Sequence, residues 1–139
     1  MAIILAGVIA GSILSQVFDL LVLPLTASLG RIIGGLIFLI GLALFVLWAS
    51  LWGREYKGQL ITHGIYRYMR HPHYLAAILL FIGVSLFFRS IISLFFAVFF
   101  AFATAREIKD EEEHLLNQYG AAYRAYMEKT KWKFIPMIY

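Results

Sequence analysis

The sequence predicts an all-α integral-membrane helical bundle of about four transmembrane helices with a cytoplasmic helical extension, and three observations carry that prediction. Hydrophobic residues make up 62% of the chain and charged residues only 14%, against roughly 25% charged in ordinary soluble domains. Residues 1–23 and 30–52 are apolar runs that each reach the ~20 residues needed to cross a ~30 Å hydrocarbon core. Lysine and arginine gather on one side: the segment after the second run holds Arg54, Lys57, Arg67 and Arg70, and the tail holds Arg106, Lys109, Arg124, Lys129, Lys131 and Lys133, leaving Arg31 and Arg89 opposite. That bias sets both termini on the cytoplasmic face. A chain of 139 residues holds a single domain.

The spans are expected at about 2–23, 30–52, 73–88 and 91–105, with a cytoplasmic tail at 106–139. The first run lacks a basic segment ahead of its apolar stretch, so it is expected to be retained rather than removed as a leader. Gly7, Gly11 and Ser15, then Gly30 and Gly34, recur at four-residue spacing. Such faces let helix backbones approach closely, and the spacing serves equally a contact within one chain or a homodimer. Asp19, near the outer end of its span, has the choice of pairing with Arg31 or reaching water. The two late runs are about 15 residues, or ~22 Å at 1.5 Å per residue, and form a short hairpin broken at Arg89 and Ser90. The second of them enters REIKDEEEHLLNQYG without a helix breaker, so one helix leaves the bilayer and continues into water.

Composition also excludes. Cysteine is absent, which removes disulfides, thiolate catalysis and cysteine metal sites. A pI near 9.5 can accompany nucleic-acid binding, but on a membrane chain a basic excess marks cytoplasmic loops and contact with anionic headgroups. No nucleic-acid partner is expected. Histidines at i,i+4 on a helix are missing, as is a GxxxxGK phosphate loop, so neither a metal site nor a nucleotide loop of those types is expected.

Two constellations carry chemistry. YRYMRHPHY, residues 66–74, crowds arginine, histidine and tyrosine around Pro72. Proline suits the first position of a helix, where an amide donor is orphaned anyway, and a helix start beside Arg70 and His71 favours an anion. Positive and aromatic residues also flank membrane helices by rule, so membrane-surface anchoring is the plainer use of the same residues. Four consecutive acids, Asp110 to Glu113, then face several directions on the outgoing helix. They either solvate it or supply a carboxylate that binds an ammonium or accepts a proton.

With those residues in view, the chain resembles the isoprenylcysteine carboxyl methyltransferase and phospholipid methyltransferase family of small membrane enzymes that use S-adenosyl-L-methionine. The likeness begins at GIYRYMRHPHYL, Gly64 to Leu75, similar to the family's G-x-Y-x-x-x-R-H-P-x-Y segment, and continues through Gly83 and LLNQYGAAYRAY to KWKFIP, Lys131 to Pro136. The resemblance implies cofactor contacts from Tyr66, Arg70, His71, Pro72, Tyr74, Glu111, Glu112 and Tyr119, with Glu111, Glu112 and Arg106 as catalytic candidates. The family's acidic pair precedes a glycine by eight residues; counting back from Gly120 selects Glu111 and Glu112 and leaves Glu113 as an extra acid. In this picture Arg70, His71 and the helix start hold the cofactor carboxylate, an acidic residue holds its ammonium, and tyrosines stack on adenine or face the sulfonium. The methyl acceptor is expected to be a lipid or lipophilic molecule. One departure is Ala76, where the family often has glycine. A non-catalytic scaffold of the same fold, or an NADPH-dependent sterol-type reductase sharing the RHP-x-Y segment, are the competing expectations.

Overall fold

Serine and threonine caps start the two longest helices in the computed structural model, which describes residues 1–19 and 21–133. The Thr26 hydroxyl accepts from the Leu29 amide at 3.3 Å and opens α2, Ala27–Glu55. The Ser90 hydroxyl accepts from the Ser93 amide at 3.1 Å and opens α4, Ile91–Tyr119. Each satisfies a donor that the helix itself cannot. The other helices are α1, Ala2–Phe18, α3, Pro72–Phe87, and α5, Ala121–Lys129, with a 3₁₀ turn at Gly64–Arg67. Among the described residues there is no β-strand, only an isolated bridge between Val22 and Ser90.

Helices α2 and α4 are long and apolar enough to cross a membrane, while α1 and α3 are shorter apolar helices of 17 and 16 residues. Helix α4 is continuous from its apolar half, 91–105, into its charged half and ends at Gly120, whose φ of 54° favours glycine. The first helix is shorter than the expected 2–23. It stops at Asp19, in the left-handed region, because the chain beyond pairs with the α3–α4 turn. The Leu23 amide donates to the Arg89 carbonyl at 2.6 Å, and the Ile91 amide to the Leu21 carbonyl at 2.9 Å. Backbone groups at both turns thereby satisfy each other, which an apolar setting demands. Asp19 is exposed, and among the described residues no ion pair joins it to Arg31.

The small-residue faces are covered within the chain. A Cβ on Gly7 would meet the Phe96 ring at 2.7 Å and one on Gly11 the Ser93 amide at 2.9 Å, so α1 lies against α4. Hydroxyls then bind the pair: Ser15 donates to Ser90 at 2.9 Å, Ser90 to the Gly11 carbonyl at 2.9 Å, and Ser93 to the Val8 carbonyl at 2.7 Å. Buried hydroxyls of this kind hold helices together where apolar burial gives no preference. Gly34 and Gly41 seat α2 against the backbone of α3 near Phe87 and Leu80, and Gly83 seats α3 against Phe38. Ala76 is fully buried, its carbonyl 3.1 Å from where a Cβ on Gly41 would sit. Its small size therefore serves the α2–α3 contact. Large apolar side chains such as Ile32, Leu36, Leu39 and Leu47 point outward.

At the charged end, Leu51, Ile61, Tyr66, Tyr123 and Tyr126 form a core that anchors α5 and the 3₁₀ turn to α2. This core fixes the segment that leads into α3.

A bulky side chain at the tight α2–α3 crossing should unseat the pair. Gly34→Leu is expected to cost at least the ~1–3 kcal/mol typical of overpacking, read as a lower melting temperature in detergent. Gly53→Ala, with nothing within 4 Å of the added Cβ, should instead raise stability by up to ~1 kcal/mol through helix propensity.

Candidate active site

Pro72 occupies the first turn of α3 and His71 its cap position, so the chain enters the helix with the Arg70 and His71 side chains turned into the protein. Both are buried. Arg70 donates from Nε to Glu112 Oε1 at 2.7 Å, its Nη2 lies 2.6 Å from the same oxygen, and its Nη1 donates to the carbonyls of Thr130 at 2.7 Å and Lys131 at 3.0 Å. The backbone follows suit, with the Arg70 amide bonded to the Trp132 carbonyl at 3.0 Å and the His71 amide to that of Lys133 at 2.7 Å. One guanidinium thus clasps three segments: the entry to α3, the charged half of α4, and the tail.

Of the five acids on α4, Glu111 and Glu112 turn toward this clasp, while Glu107, Asp110 and Glu113 are exposed. Lys133 Nζ adds a second cation 3.5 Å from Glu112 Oε2. Burial by itself would raise the Glu112 pKa, but His71, Arg70 and Lys133 outweigh it and hold the carboxyl down to about 2. Glu111 also lies below its ordinary value; burial opposes this, and His71, 3.3 Å away through Nδ1, supplies the largest opposing effect. Burial disfavours a charged His71, yet the nearby carboxylates of Glu111 and Glu112 prevail and raise its pKa.

Beside the clasp lies a cavity of about 370 Å³, within the size range of small-molecule sites. Trp48 and Trp52, on successive turns of α2, and Tyr56 at its C-terminal cap line one wall, with Trp52 and Tyr56 stacked at 4.0 Å between centroids. Tyr66, Tyr119, Tyr123 and Tyr126 line the other, and Arg70, His73 and Glu111 bring charge and polarity to it. The Trp48 indole donates to the Tyr66 hydroxyl at 2.9 Å, and the Tyr126 hydroxyl donates to the Tyr66 carbonyl at 2.7 Å. Burial, moderated by the Trp48 bond and reinforced by Glu111, pushes the Tyr66 phenol up to about 12. Tyr119 donates to the Gly58 carbonyl at 3.1 Å, tying down the loop over the cavity. A larger groove of about 900 Å³ opens on the other side of the 64–69 segment, but its charged lining is cationic, without carboxylate or histidine. The carboxylate and histidine among the described lining residues thus belong to the smaller cavity.

Among the described residues, His71 Nε2, His73 Nδ1 and Tyr123 Oη are buried polar atoms with no hydrogen-bond partner. His71 Nε2 is 3.5 Å from Glu112 Oε1, a distance for ion pairing on an oxygen that Arg70 already occupies. Unsatisfied buried groups cost ~1–3 kcal/mol each, so each calls for a partner such as water, an ion or a ligand.

Of the residues named from sequence, Tyr66, Arg70, Glu111 and Tyr119 border the cavity, and His71, Pro72 and Glu112 form its clasp. Tyr74 sits behind His73 at 4.1 Å between ring centroids. Arg106 is exposed, five residues before Glu111 on α4 and so about 140° around the helix from it. The closing Phe134, Ile135 and Pro136 of the KWKFIP segment lie outside the described residues. Sequence reasoning missed Trp48, Trp52, Tyr56, Tyr123 and Tyr126. Their four- and three-residue spacing was a readable signal of one aromatic helix face.

The family model described as phospholipid methyltransferase matches residues 30–122. The chain is 32% identical over 84 residues to the protein-S-isoprenylcysteine O-methyltransferase of Dictyostelium discoideum, covering 58% of this chain and 34% of that protein. It is 30% identical over 89 residues to the 7-dehydrocholesterol reductase of Arabidopsis thaliana, covering 63% of this chain and 21% of the reductase. The chain thus spans about a third or less of the length of the curated relatives it matches.

Removing one half of the clasp should cost more than removing both. Glu112→Leu leaves a buried guanidinium unpaired and is expected to lose ~3–5 kcal/mol, whereas Arg70→Met/Glu112→Leu should lose much less; denaturation in detergent distinguishes them. Because the folded pKa of Glu112 is depressed, its contribution is present above its ordinary value of 4.5 and is lost as pH falls toward about 2. Melting temperature should drop across that interval in the parent, and less in the double variant. His71 works in the opposite sense: its raised pKa contributes stability that is full below 6.5 and is lost as pH rises through the folded value.

Proposed function

Because the chain belongs to the phospholipid methyltransferase family, whose members are methyltransferases, we propose that it transfers a methyl group from S-adenosyl-L-methionine to a lipid or lipophilic acceptor at the cytoplasmic membrane face. The single observation that carries this reading is a carboxylate, Glu111, bordering an aromatic cavity beside buried polar atoms that lack partners. The cofactor presents an ammonium, a carboxylate, a sulfonium and an adenine ring, and each has a candidate counterpart here. Glu111 would hold the ammonium. His71 and the start of α3 at Pro72 would hold the carboxylate, with Arg70 fixed behind them by Glu112. Trp52, Tyr56 and Tyr119 offer ring faces to adenine, and Trp48 and Tyr66 offer theirs to positive charge. S-adenosyl-L-methionine, when bound, supplies a methyl group already activated on a sulfonium.

The protein's part is then to orient two substrates and keep water away, the effect that dominates when the leaving group needs no help. Glu111 and Glu112, both held below their ordinary pKa, fix charge in place. Tyr66, a phenol up to about 12, stays a neutral hydrogen-bonding group. In this reading α1 to α4 all cross the bilayer, with both termini cytoplasmic and ten of the twelve basic residues on that side. The short α1 and α3 fit a locally thinned bilayer. The acceptor reaches the cavity from the lipid side.

A reductase reading draws on the likeness to the Arabidopsis sterol enzyme. Against it, Glu111 at the cavity repels the phosphates of a dinucleotide and attracts an ammonium.

Isothermal titration of detergent-purified protein separates the readings. S-adenosyl-L-methionine is expected to bind and NADPH not to. Glu111→Gln should weaken the former roughly 10- to 100-fold, the scale of a lost charge-assisted bond, while Lys109→Gln, exposed on α4, should not. Labelled methyl should appear in extracted lipid in the parent and fall with Glu111→Gln. Binding of neither ligand would sink the enzyme reading in favour of a scaffold.

A further inference from the structure

The 64–69 segment has a second hollow on its far side, the groove of about 900 Å³. Its floor and its rim differ in kind. Leu44, Leu47 and Leu51 supply one face of α2 at three- and four-residue spacing, and Leu47 is 60% exposed. Arg54, one turn further along the same face, begins a cationic rim that Arg67, Lys129 and Lys131 complete. Among the described residues, no acidic residue lines the groove. Among the described residues no ion pair neutralises any of these four cations; Arg54 spends its Nε on the Ser50 carbonyl at 3.0 Å, and the other three are exposed.

The order along the groove is apolar, then basic, over about 15 Å from Leu44 to Arg54 at 1.5 Å per residue. Tyr68 and Trp132, 65% and 37% exposed, stand at its basic end, the side-chain types that settle at headgroup depth. Gathered cations without a counter-ion call for an anion, and the leucine track calls for a chain attached to it. A free phosphate would use only the rim, and a neutral lipid only the floor.

We propose that this groove docks one anionic phospholipid, with its phosphate among Arg67, Lys129 and Lys131 and an acyl chain along Leu44, Leu47 and Leu51. The site is distinct from the aromatic cavity. It rests on α2 lying in the bilayer but not on methyl transfer. Its consequence follows from the clasp: Thr130 Oγ1 donates to the Arg67 carbonyl at 3.4 Å, and the carbonyls of Thr130 and Lys131 accept from Arg70. A lipid phosphate bridging Arg67 to Lys129 and Lys131 ties together, from outside, the two segments that Arg70 ties from inside.

Native mass spectrometry of the detergent-purified full chain, titrated with phosphatidylglycerol, phosphatidylcholine or acyl-free glycerophosphoglycerol, tests the proposal. Phosphatidylglycerol is expected to be retained more than tenfold better than either of the others. The triple variant Arg67→Gln/Lys129→Gln/Lys131→Gln should lose roughly fivefold per cation, the worth of one basic residue at an anionic surface. A second triple, Lys57→Gln/Lys109→Gln/Arg124→Gln, changes net charge equally and should leave retention intact. Equal retention of the two lipids, equal loss in both variants, or a dimer that forms at the expense of bound lipid would each overturn the site. Helical circular dichroism confirms that each variant is folded, and S-adenosyl-L-methionine titration of the same samples keeps this outcome separate from that of the catalytic reading.

Discussion

A buried guanidinium is the constraint around which the charged end of this protein is organised. A guanidinium is costly to strip of water, and the Arg70 side chain is only 5% exposed, so its surroundings have to replace water at its donors. They do so with Glu112 on one side and the Thr130 and Lys131 carbonyls on the other. Those partners come from a helix forty-two residues away and a tail sixty residues away. The requirement to satisfy one side chain therefore fixes where α3 begins, how α4 is rotated and where the tail returns. Such a clasp adds little net stability over an apolar substitute, but it leaves few alternative arrangements of comparable energy.

Rotation of α4 then separates two neighbouring acids by function. Successive residues on a helix differ by about 100°, so when Glu112 faces Arg70, Glu111 must face the cavity and the histidines. One carboxylate is consumed by structure and the other is left at the edge of the aromatic pocket, 35% exposed. His71 sits between them, close enough to both for its charge to be stabilised by each. The group that looks most like an anion binder in sequence, Arg70, is the one the fold uses for itself.

Much of the architecture was legible because membrane helices announce themselves by length and apolarity. The α3 start at Pro72, the Arg89–Ser90 break and the uninterrupted passage of α4 out of its apolar half follow from local chemistry that the sequence displays. The early end of α1 does not, since it depends on backbone bonds between residues 21–23 and 89–91, and a hydropathy pattern carries no information about such pairing. Likewise, Gly7 and Gly11 signal a close approach without naming the partner; only the three-dimensional arrangement sets α4 against them. At the candidate site, residue types pointed to two segments that the fold brings together, but which donor meets which acceptor is a long-range matter. The Arg70–Glu112 pair, the orphaned His71 Nε2 and the tail carbonyls illustrate this. The α2 ladder Trp48, Trp52 and Tyr56 was hidden for a different reason: in a chain this apolar, an aromatic stripe resembles lipid-facing surface until something packs over it.

The electrostatics describe a site that holds charge rather than moves protons. A carboxylate kept below its ordinary pKa is a weak base, and Glu112 at about 2 is among the weakest a protein can offer. Glu111 shifts in the same direction because His71 is its neighbour, and His71 shifts upward, against its burial, because two carboxylates surround it. Each group reinforces the ionised state of the next. An arrangement of that sort has little to gain from a proton-transfer step and much to gain from a ligand whose own fixed charges complete the pattern. In the proposed reading, the three unsatisfied atoms among the described residues would bond to that ligand, and the aromatic walls would lower the local dielectric and strengthen each bond.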